Sequence, residues 1–284
     1  MTTLAAIPYE RPSKPILRYF GGKYRLADWI IKHIPAHEVY VEPFGGGGSV
    51  LLSKPRSRSE CYNDLDKEVV NLFEVMRDHR HELIYRLRFT PFARSEFDEA
   101  YKRYDDADNI ERARMLLVRS WQGFASRGTF SNTGFRTGHR FQTRGAPPMD
   151  WRQMIEVSHQ ICDRMLGVCI ENKDALGVIK QWDAAHTIFY IDPPYPMATR
   201  SYRKVYRHEM SDEQHTKLAA ALHDIKGMAL ISGYPCELYD ELYNDWHVVS
   251  RQAAADGGAQ REEIIWMNNA CRRGLVVPKQ IQLL

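Results

Sequence analysis

A chain of 284 residues with 44% hydrophobic and 26% charged content is long enough for one large core or two modest domains. No apolar run reaches the roughly 20 residues that cross a bilayer, Met1 to Pro8 lacks the pattern of a secretory leader, and Cys61, Cys162, Cys169, Cys236 and Cys271 are odd in number and never spaced C-x-x-C. A membrane protein, a disulfide framework and a zinc site are disfavoured, and a soluble cytoplasmic protein with reduced thiols and no metal is expected; the net charge of +3 is too small to name a partner.

Residues 1 to 15 mix prolines and small residues without periodicity and read as a flexible lead. Next, Leu17-Arg18-Tyr19-Phe20-Gly21-Gly22-Lys23-Tyr24 precedes Leu26, Trp29, Ile30 and Ile34 at helical spacing. Gly21 and Gly22 let the backbone come close to a ligand, and Lys23 stands at a helix start suited to a carboxylate, although a plain turn explains Gly-Gly-Lys as well. Val39 to Leu52 reads as strand, glycine turn and helix, the entry to a nucleotide-type pocket, with Glu42, Phe44, Gly45 and Ser49 around the turn. A phosphate-binding loop needs Gly-Lys-Ser/Thr where Gly48-Ser49-Val50 stands, and a dinucleotide fingerprint needs a third glycine at Val50 or Leu51. A cofactor without phosphates needs only the close backbone approach. The following strand-like run ends near Asp64, where an acid ordinarily binds ribose hydroxyls.

Helical spacing runs from Asp66 to about Glu99, and a second helix carries Ala113, Leu116, Leu117 and Trp121. From Phe124 to Phe141 arginine, aromatics and Gly/Ser/Asn/Thr interleave in an expected hairpin suited to phosphate and base-edge contacts; a solvated surface loop is the plainer alternative. No acid interrupts the stretch from Arg112 to Arg144, which includes Arg127, Arg136 and Arg140, and a second basic cluster holds Arg200, Arg203, Lys204 and Arg207. After the break at Ala146-Pro147-Pro148 come a helix from about Trp151 to Leu166, a short strand at Val168 to Ile170, and Glu171 to Asp174, near which a cofactor's adenine would lie. Strands follow at Ile188 to Ile191 and Met228 to Ser232, separated by a capping-box pattern at Ser211 and Gln214. Trp246 to Ser250 and Glu263 to Met267 form a closing hairpin around Asp256-Gly257-Gly258. This alternation predicts an α/β fold with an open, mostly parallel sheet ending in a β-hairpin.

The most informative stretch is Phe189-Tyr190-Ile191-Asp192-Pro193-Pro194-Tyr195, a buried strand stopping at a rigid turn. An amino group conjugated to a ring is a poor nucleophile because its lone pair is delocalised. A carboxylate and a main-chain carbonyl can each accept one of its hydrogens and favour a more pyramidal, more reactive nitrogen. Asp192 and the Pro193 carbonyl are the expected acceptors, and Tyr195 is expected to project into the crevice and stack on the ring. The tetrapeptide resembles the Asp-Pro-Pro-Tyr motif of amino-group DNA methyltransferases, in its adenine form.

Together, Arg18 to Lys23, Glu42-Pro43-Phe44 with its glycines and Ser49, Asn63-Asp64-Leu65-Asp66 and Asp192 to Tyr195 resemble the ordered motifs of Dam-type, alpha-group DNA adenine methyltransferases across residues 16 to about 268. The resemblance implies a Rossmann-like catalytic domain at 16–69 and 166–284 and a helical target-recognition insertion at 70–165. It implies S-adenosylmethionine as cofactor, with binding positions at Tyr19, Lys23, Asp64 and Asp192; Gly22, Glu42, Phe44, Gly45, Ser49 and Leu65 complete the candidate set. Catalysis falls to Asp192, Pro193, Pro194 and Tyr195, on an adenine flipped out of duplex DNA. Phe124, in Trp121-Gln122-Gly123-Phe124, is the candidate wedge, with Arg127, Arg136, Arg140, Arg200, Arg203 and Lys204 as further DNA contacts. The family's Asn-x-Pro-Phe-Gly element has no match in Thr133 to Gly138, so GATC specificity does not carry over. A monomer associated with the nucleoid is expected. Methylation of RNA adenine and a non-catalytic DNA-binding regulator stand as the alternatives.

Overall fold

The structure, a computed structural model, describes residues 9–102, 106–124, 133–137, 146–200, 206–254 and 260–276. Seven strands form one sheet: β1 (Val39–Glu42), β2 (Ser59–Asn63), β3 (Val168–Glu171), β4 (Thr187–Ile191), β5 (Met228–Gly233), β6 (His247–Ala254) and β7 (Gln260–Met267), in the spatial order β3-β2-β1-β4-β5-β7-β6. Neighbours from β3 to β5 are parallel, while β7 runs antiparallel to both β5 and β6. The expected mostly parallel Rossmann-like sheet with a closing hairpin is present. The central strands β4 and β5 are buried along their whole length, as continuous apolar runs between two covered faces must be.

Strand alternation divides the core. Tyr40, Tyr62, Ile188, Tyr190 and Leu230 face one cluster, and Val41, Cys61, Phe189, Ile191 and Ile231 face the other. The first cluster is completed by α2 (Lys67–Asp78), α3 (Arg80–Arg88), α5 (Asn109–Gln122) and α6 (Pro147–Met165), with α4 (Arg94–Lys102) packed on α5; the second by α7 (Ala175–Trp182), α8 (Asp212–His223) and α9 (Glu237–Leu242). Side-chain caps fix several helix starts: Asp66, Asp108 and Asp174 each accept a first-turn N–H, and Ser211 with Gln214 closes a full capping box.

Several expectations are corrected. The helical pattern from Asp66 to Glu99 is three helices, because the backbone leaves helical geometry at His79 and again before Pro91. Helix α2 runs across residue 70, the expected start of the insertion, and packs Phe73 on Tyr62 with ring centroids 4.6 Å apart. No helix follows the glycine turn: residues 46–54 form consecutive turns with Gly46 and Gly48 at φ +48° and +63°. The helix after the glycine pair, α1 (Ala27–Ile31), starts later than the pair itself. Residues 9–15 are anchored rather than loose, with Arg11 on Asp28 and Lys14 on Asp150. Helices α7, α9 and α10 (Asn269–Val276) are too short to stand out in the sequence.

One buried ionic cluster ties the helical layer to the sheet. Glu60 on β2 receives both terminal nitrogens of Arg164 from α6, at 2.5 and 2.8 Å, and Lys54 at 2.8 Å. All three are nearly excluded from water, where a charge is tolerated only when paired.

Candidate active site

The chain leaves β1 toward one side of the sheet and β4 toward the other, so the crevice between their carboxyl ends is the topological switch point of the fold. A cavity of about 330 Å³ opens there. Its walls are Tyr19 to Lys23, Glu42 to Gly47, Asn63 to Asp66, Lys173 to Leu176, Asp192, Pro194 and Tyr206 to Met210. Tyr19, Gly22, Lys23, Glu42, Phe44, Gly45, Ser49, Asp64, Leu65 and Asp192, named above as cofactor candidates, all line it.

The glycine turn is held in shape by β2. Asn63 joins it through the carbonyl bonded to the Gly45 N–H and through a side-chain bond to the Pro43 carbonyl. The Tyr62 hydroxyl donates to the Gly46 carbonyl, and a Cβ on Gly45 would stand 2.1 Å from the Tyr62 ring, which is why glycine is required there. Asp64 accepts the N–H groups of Gly46 and Asp66 at 2.7 and 2.8 Å. Burial pushes its carboxyl up to about 6, against the pull of those two bonds. Glu42 sits deeper, its Oε1 accepting the Tyr40 hydroxyl and the Leu51 N–H at 2.6 Å each. Burial again dominates and raises it to about 7.

At the end of β4, Asp192 Oδ1 accepts the Ser232 hydroxyl at 2.8 Å and pairs with the Lys23 ammonium at 3.0 Å. No hydrogen bond to its Oδ2 is found among the described residues. Burial opposes the charge on Lys23, but Asp192 and Glu263 outweigh it and raise its pKa. The same ammonium donates to the Gly21 carbonyl and lies 4.7 Å over the Tyr195 ring. Tyr195 departs from expectation: it is 6% exposed and does not line the cavity, because its hydroxyl is drawn to Glu263 at 3.1 Å and its ring packs on Tyr234.

The sequence reading missed Tyr206, whose ring packs edge-on against Phe20 and whose hydroxyl fills the space a Gly21 side chain would need. It also missed Ser232 and Glu263. An acid alternating with inward Ile265 and Met267 was the one available signal for Glu263. Arg207, next to Tyr206, pairs with Asp66 at 3.3 Å, and both residues line the cavity.

The candidate DNA contacts divide. Phe124 stands 69% exposed just after α5, where its N–H bonds the Gly134 carbonyl and Arg136 N–H bonds the Gln122 carbonyl, an isolated antiparallel bridge between residues 123 and 135. Arg136, however, is paired with Asp150, and Arg200 is 5% exposed on Glu209, so neither offers a guanidinium directed freely at a polyanion. Arg127, Arg140, Arg203 and Lys204 lie outside the described residues. Among the described residues no helix is long and apolar enough to cross a membrane, and no cluster of three or more His, Cys, Asp or Glu is placed to hold a metal.

Comparison with known proteins adds an independent finding. The profile of the family described as D12 class N6 adenine-specific DNA methyltransferase matches residues 19–255. The DNA adenine methylase of Escherichia coli (strain K12) is 25% identical over 287 residues, covering 94% of this chain and 99% of that protein. The DNA adenine methylase of Serratia marcescens is 25% identical over 252 residues, covering 84% and 88%. The DNA N-6-adenine-methyltransferase of Escherichia phage P1 is 25% identical over 256 residues, covering 83% of this chain and 33% of that protein. Among solved structures, the rRNA methyltransferase aviRa of Streptomyces viridochromogenes covers 95% of this chain and 91% of its own at 11% identity and a TM-score of 0.39.

Proposed function

The chain belongs to the D12 class N6 adenine-specific DNA methyltransferases, and from that premise we propose that it flips an adenine out of duplex DNA and methylates it at Asp192–Tyr195, using S-adenosylmethionine held in the β1–β4 cavity. The observation that carries this reading is the joining of Asp192, the glycine turn and Asp64 in the walls of one cavity.

The lining suits that cofactor. Asp64, Asp66 and Asp192 line the cavity beside Lys23, Lys173 and Arg207, and the turn has no Gly-Lys-Ser/Thr, so a nucleoside that carries both cationic groups and a carboxylate fits better than a pyrophosphate. Asp64 would accept the ribose hydroxyls, Lys173 to Leu176 would border the base, and Glu42 with the Phe44 to Gly47 backbone would face the methionine end. When bound, S-adenosylmethionine supplies an electrophilic methyl group on its sulfonium.

Asp192 and the Pro193 carbonyl each accept one hydrogen of the target amino group and concentrate its lone pair on nitrogen. Ser232 and Lys23 engage Oδ1, which orients the carboxylate and leaves Oδ2 for the amine. The same Lys23 ammonium lies 4.7 Å over Tyr195, the ring on which the target base would stack. Extracting a base costs a few kcal/mol, and phosphate contacts together with Tyr195 stacking offset it. The exposure of Phe124 supports its role as the wedge that fills the vacated step. A DNA substrate supports a cytoplasmic, nucleoid-associated location.

The test is methyl transfer from labelled S-adenosylmethionine to adenine-containing duplexes, with nucleoside analysis and sequencing of the flanking context. Wild type is expected to yield N6-methyladenine in a defined context. Asp192→Ala should lose transfer while keeping much of its DNA binding; a fully active Asp192→Ala would overturn the assignment.

A further inference from the structure

Strand β7 brings a carboxylate to the catalytic edge. It runs antiparallel to β5, with Ile264 opposite Gly233, so Glu263 lies just past the carboxyl end of β5, on the edge where Asp192 follows β4. Glu263 is 8% exposed, and among the described residues no ammonium or guanidinium stands within 4.0 Å of it. A strand interior is filled at far lower cost by Ile or Val, since a buried carboxylate must recover its lost hydration from hydrogen bonds. Such a bond comes from a phenol, the Tyr195 hydroxyl, which donates to Oε2 at 3.1 Å, and Tyr195 is itself packed against Tyr234. The two rings pack edge to face at 4.8 Å.

A tyrosine ring has two torsions, and its plane is fixed only when something holds its far end. For Tyr195 that plane decides whether a stacked base presents its amino group to Asp192 and the Pro193 carbonyl, and small misplacements of a nucleophile are costly. We propose that Glu263 is a positioning residue for methyl transfer, holding the Tyr195 hydroxyl from β7 and thereby setting the plane of the ring on which the target adenine stacks. This rests on the assignment of Asp192–Tyr195 as the transfer site.

The test compares single-turnover methylation by the wild type, Glu263→Ala, Glu263→Gln, Tyr195→Phe and the Tyr195→Phe/Glu263→Ala double variant. Cofactor affinity and 2-aminopurine fluorescence at the target position are read in parallel. Glu263→Ala should slow transfer between about 10- and 100-fold, with cofactor affinity within about twofold of wild type and brighter, less stacked 2-aminopurine. Glutamine can still accept the hydroxyl, so Glu263→Gln should keep the rate within about threefold. Tyr195→Phe removes the same bond, so adding Glu263→Ala to it should slow transfer by less than about threefold more. Additive losses, a wild-type rate in Glu263→Ala, or a parallel loss of cofactor affinity would overturn the proposal. If Glu263→Ala does not fold, Tyr195→Phe at the wild-type rate is sufficient to sink it. An active Asp192→Ala would instead overturn the site itself, whereas an inactive Asp192→Ala beside additive losses would overturn only the role of Glu263.

Discussion

Replacing Glu42 by glutamine should remove a pH dependence from the protein's stability. Glu42 is 2% exposed at the end of β1, and burial raises it from 4.5 in an ordinary chain to about 7. The native state therefore holds this proton more tightly than the unfolded chain does. The stability tied to it is complete below about pH 4.5 and is lost as the pH rises through about 7. At about 1.4 kcal/mol for each tenfold change in proton affinity, the interval is worth about 3 kcal/mol, and near-complete burial removes any need to discount it for screening. Glutamine offers an Oε1 to both donors that Glu42 now engages, the Tyr40 hydroxyl and the Leu51 N–H, and stays neutral throughout. Its extra N–H₂ costs about 1–3 kcal/mol if left without an acceptor, but by the same amount at every pH. Urea unfolding of both proteins without cofactor at pH 5, 6, 7 and 8 isolates the effect, because subtraction cancels the other raised carboxyls, Asp64 and Glu263. The stability of Glu42→Gln relative to wild type should climb by about 2–3 kcal/mol from pH 5 to pH 8. A difference constant to within about 0.5 kcal/mol would refute the reasoning, since Glu42 would then titrate alike in the folded and unfolded chains.

Other consequences follow from the same geometry. If ionised Asp64 accepts the ribose hydroxyls, affinity for S-adenosylmethionine should weaken as the pH falls through about 6, and Asp64→Asn should flatten that dependence. By calorimetry at pH 8 Asp64→Asn should bind about tenfold more weakly, and unchanged affinity would remove Asp64 from the site. Gly45→Ala forces a Cβ to 2.1 Å from the Tyr62 ring, so the turn or the ring has to move. It should cost about 1–3 kcal/mol of stability and weaken cofactor binding, and normal affinity would show the turn to be dispensable. Arg164→Met leaves Glu60 with Lys54 and the Ser57 N–H, and a loss of about 3 kcal/mol in chemical unfolding is expected; a loss below about 1 would show that the cluster is not what joins α6 to the sheet.

What the sequence made legible were the groups of the site itself. The continuous apolar run of β4, the glycines after β1 and the acid closing β2 each carry a local signal, and the structure brings them to one crevice. Signals that depended on partners elsewhere misled. Val50-Leu51-Leu52 is as apolar as a helix start, yet the Leu51 N–H is taken by the Glu42 carboxylate and the backbone turns instead. Arg136 and Arg200 belong to basic runs, yet Asp150 and Glu209 lie 14 and 9 residues on and engage them. Charge sign is legible in a sequence; which charges are already neutralised by a fold is not.

The same asymmetry explains why Ser232 and Glu263 went unread, and it follows from the motif's own chemistry. Pro193 and Pro194 have no N–H, so the turn that presents the reacting groups cannot tie itself down with backbone donors there. Its support has to come through the side chains at its two ends. Asp192 is held by Ser232, 40 residues away on β5, and by Lys23 from the start of the chain; Tyr195 is held by Glu263, 68 residues away on β7. Both distant strands neighbour or extend the sheet beyond β4, so the polar positions at their catalytic-edge ends are where a proline-rigid turn finds its anchors. A substitution at such a position changes no group that touches substrate, yet it releases one end of a turn whose rigidity is otherwise only in its rings.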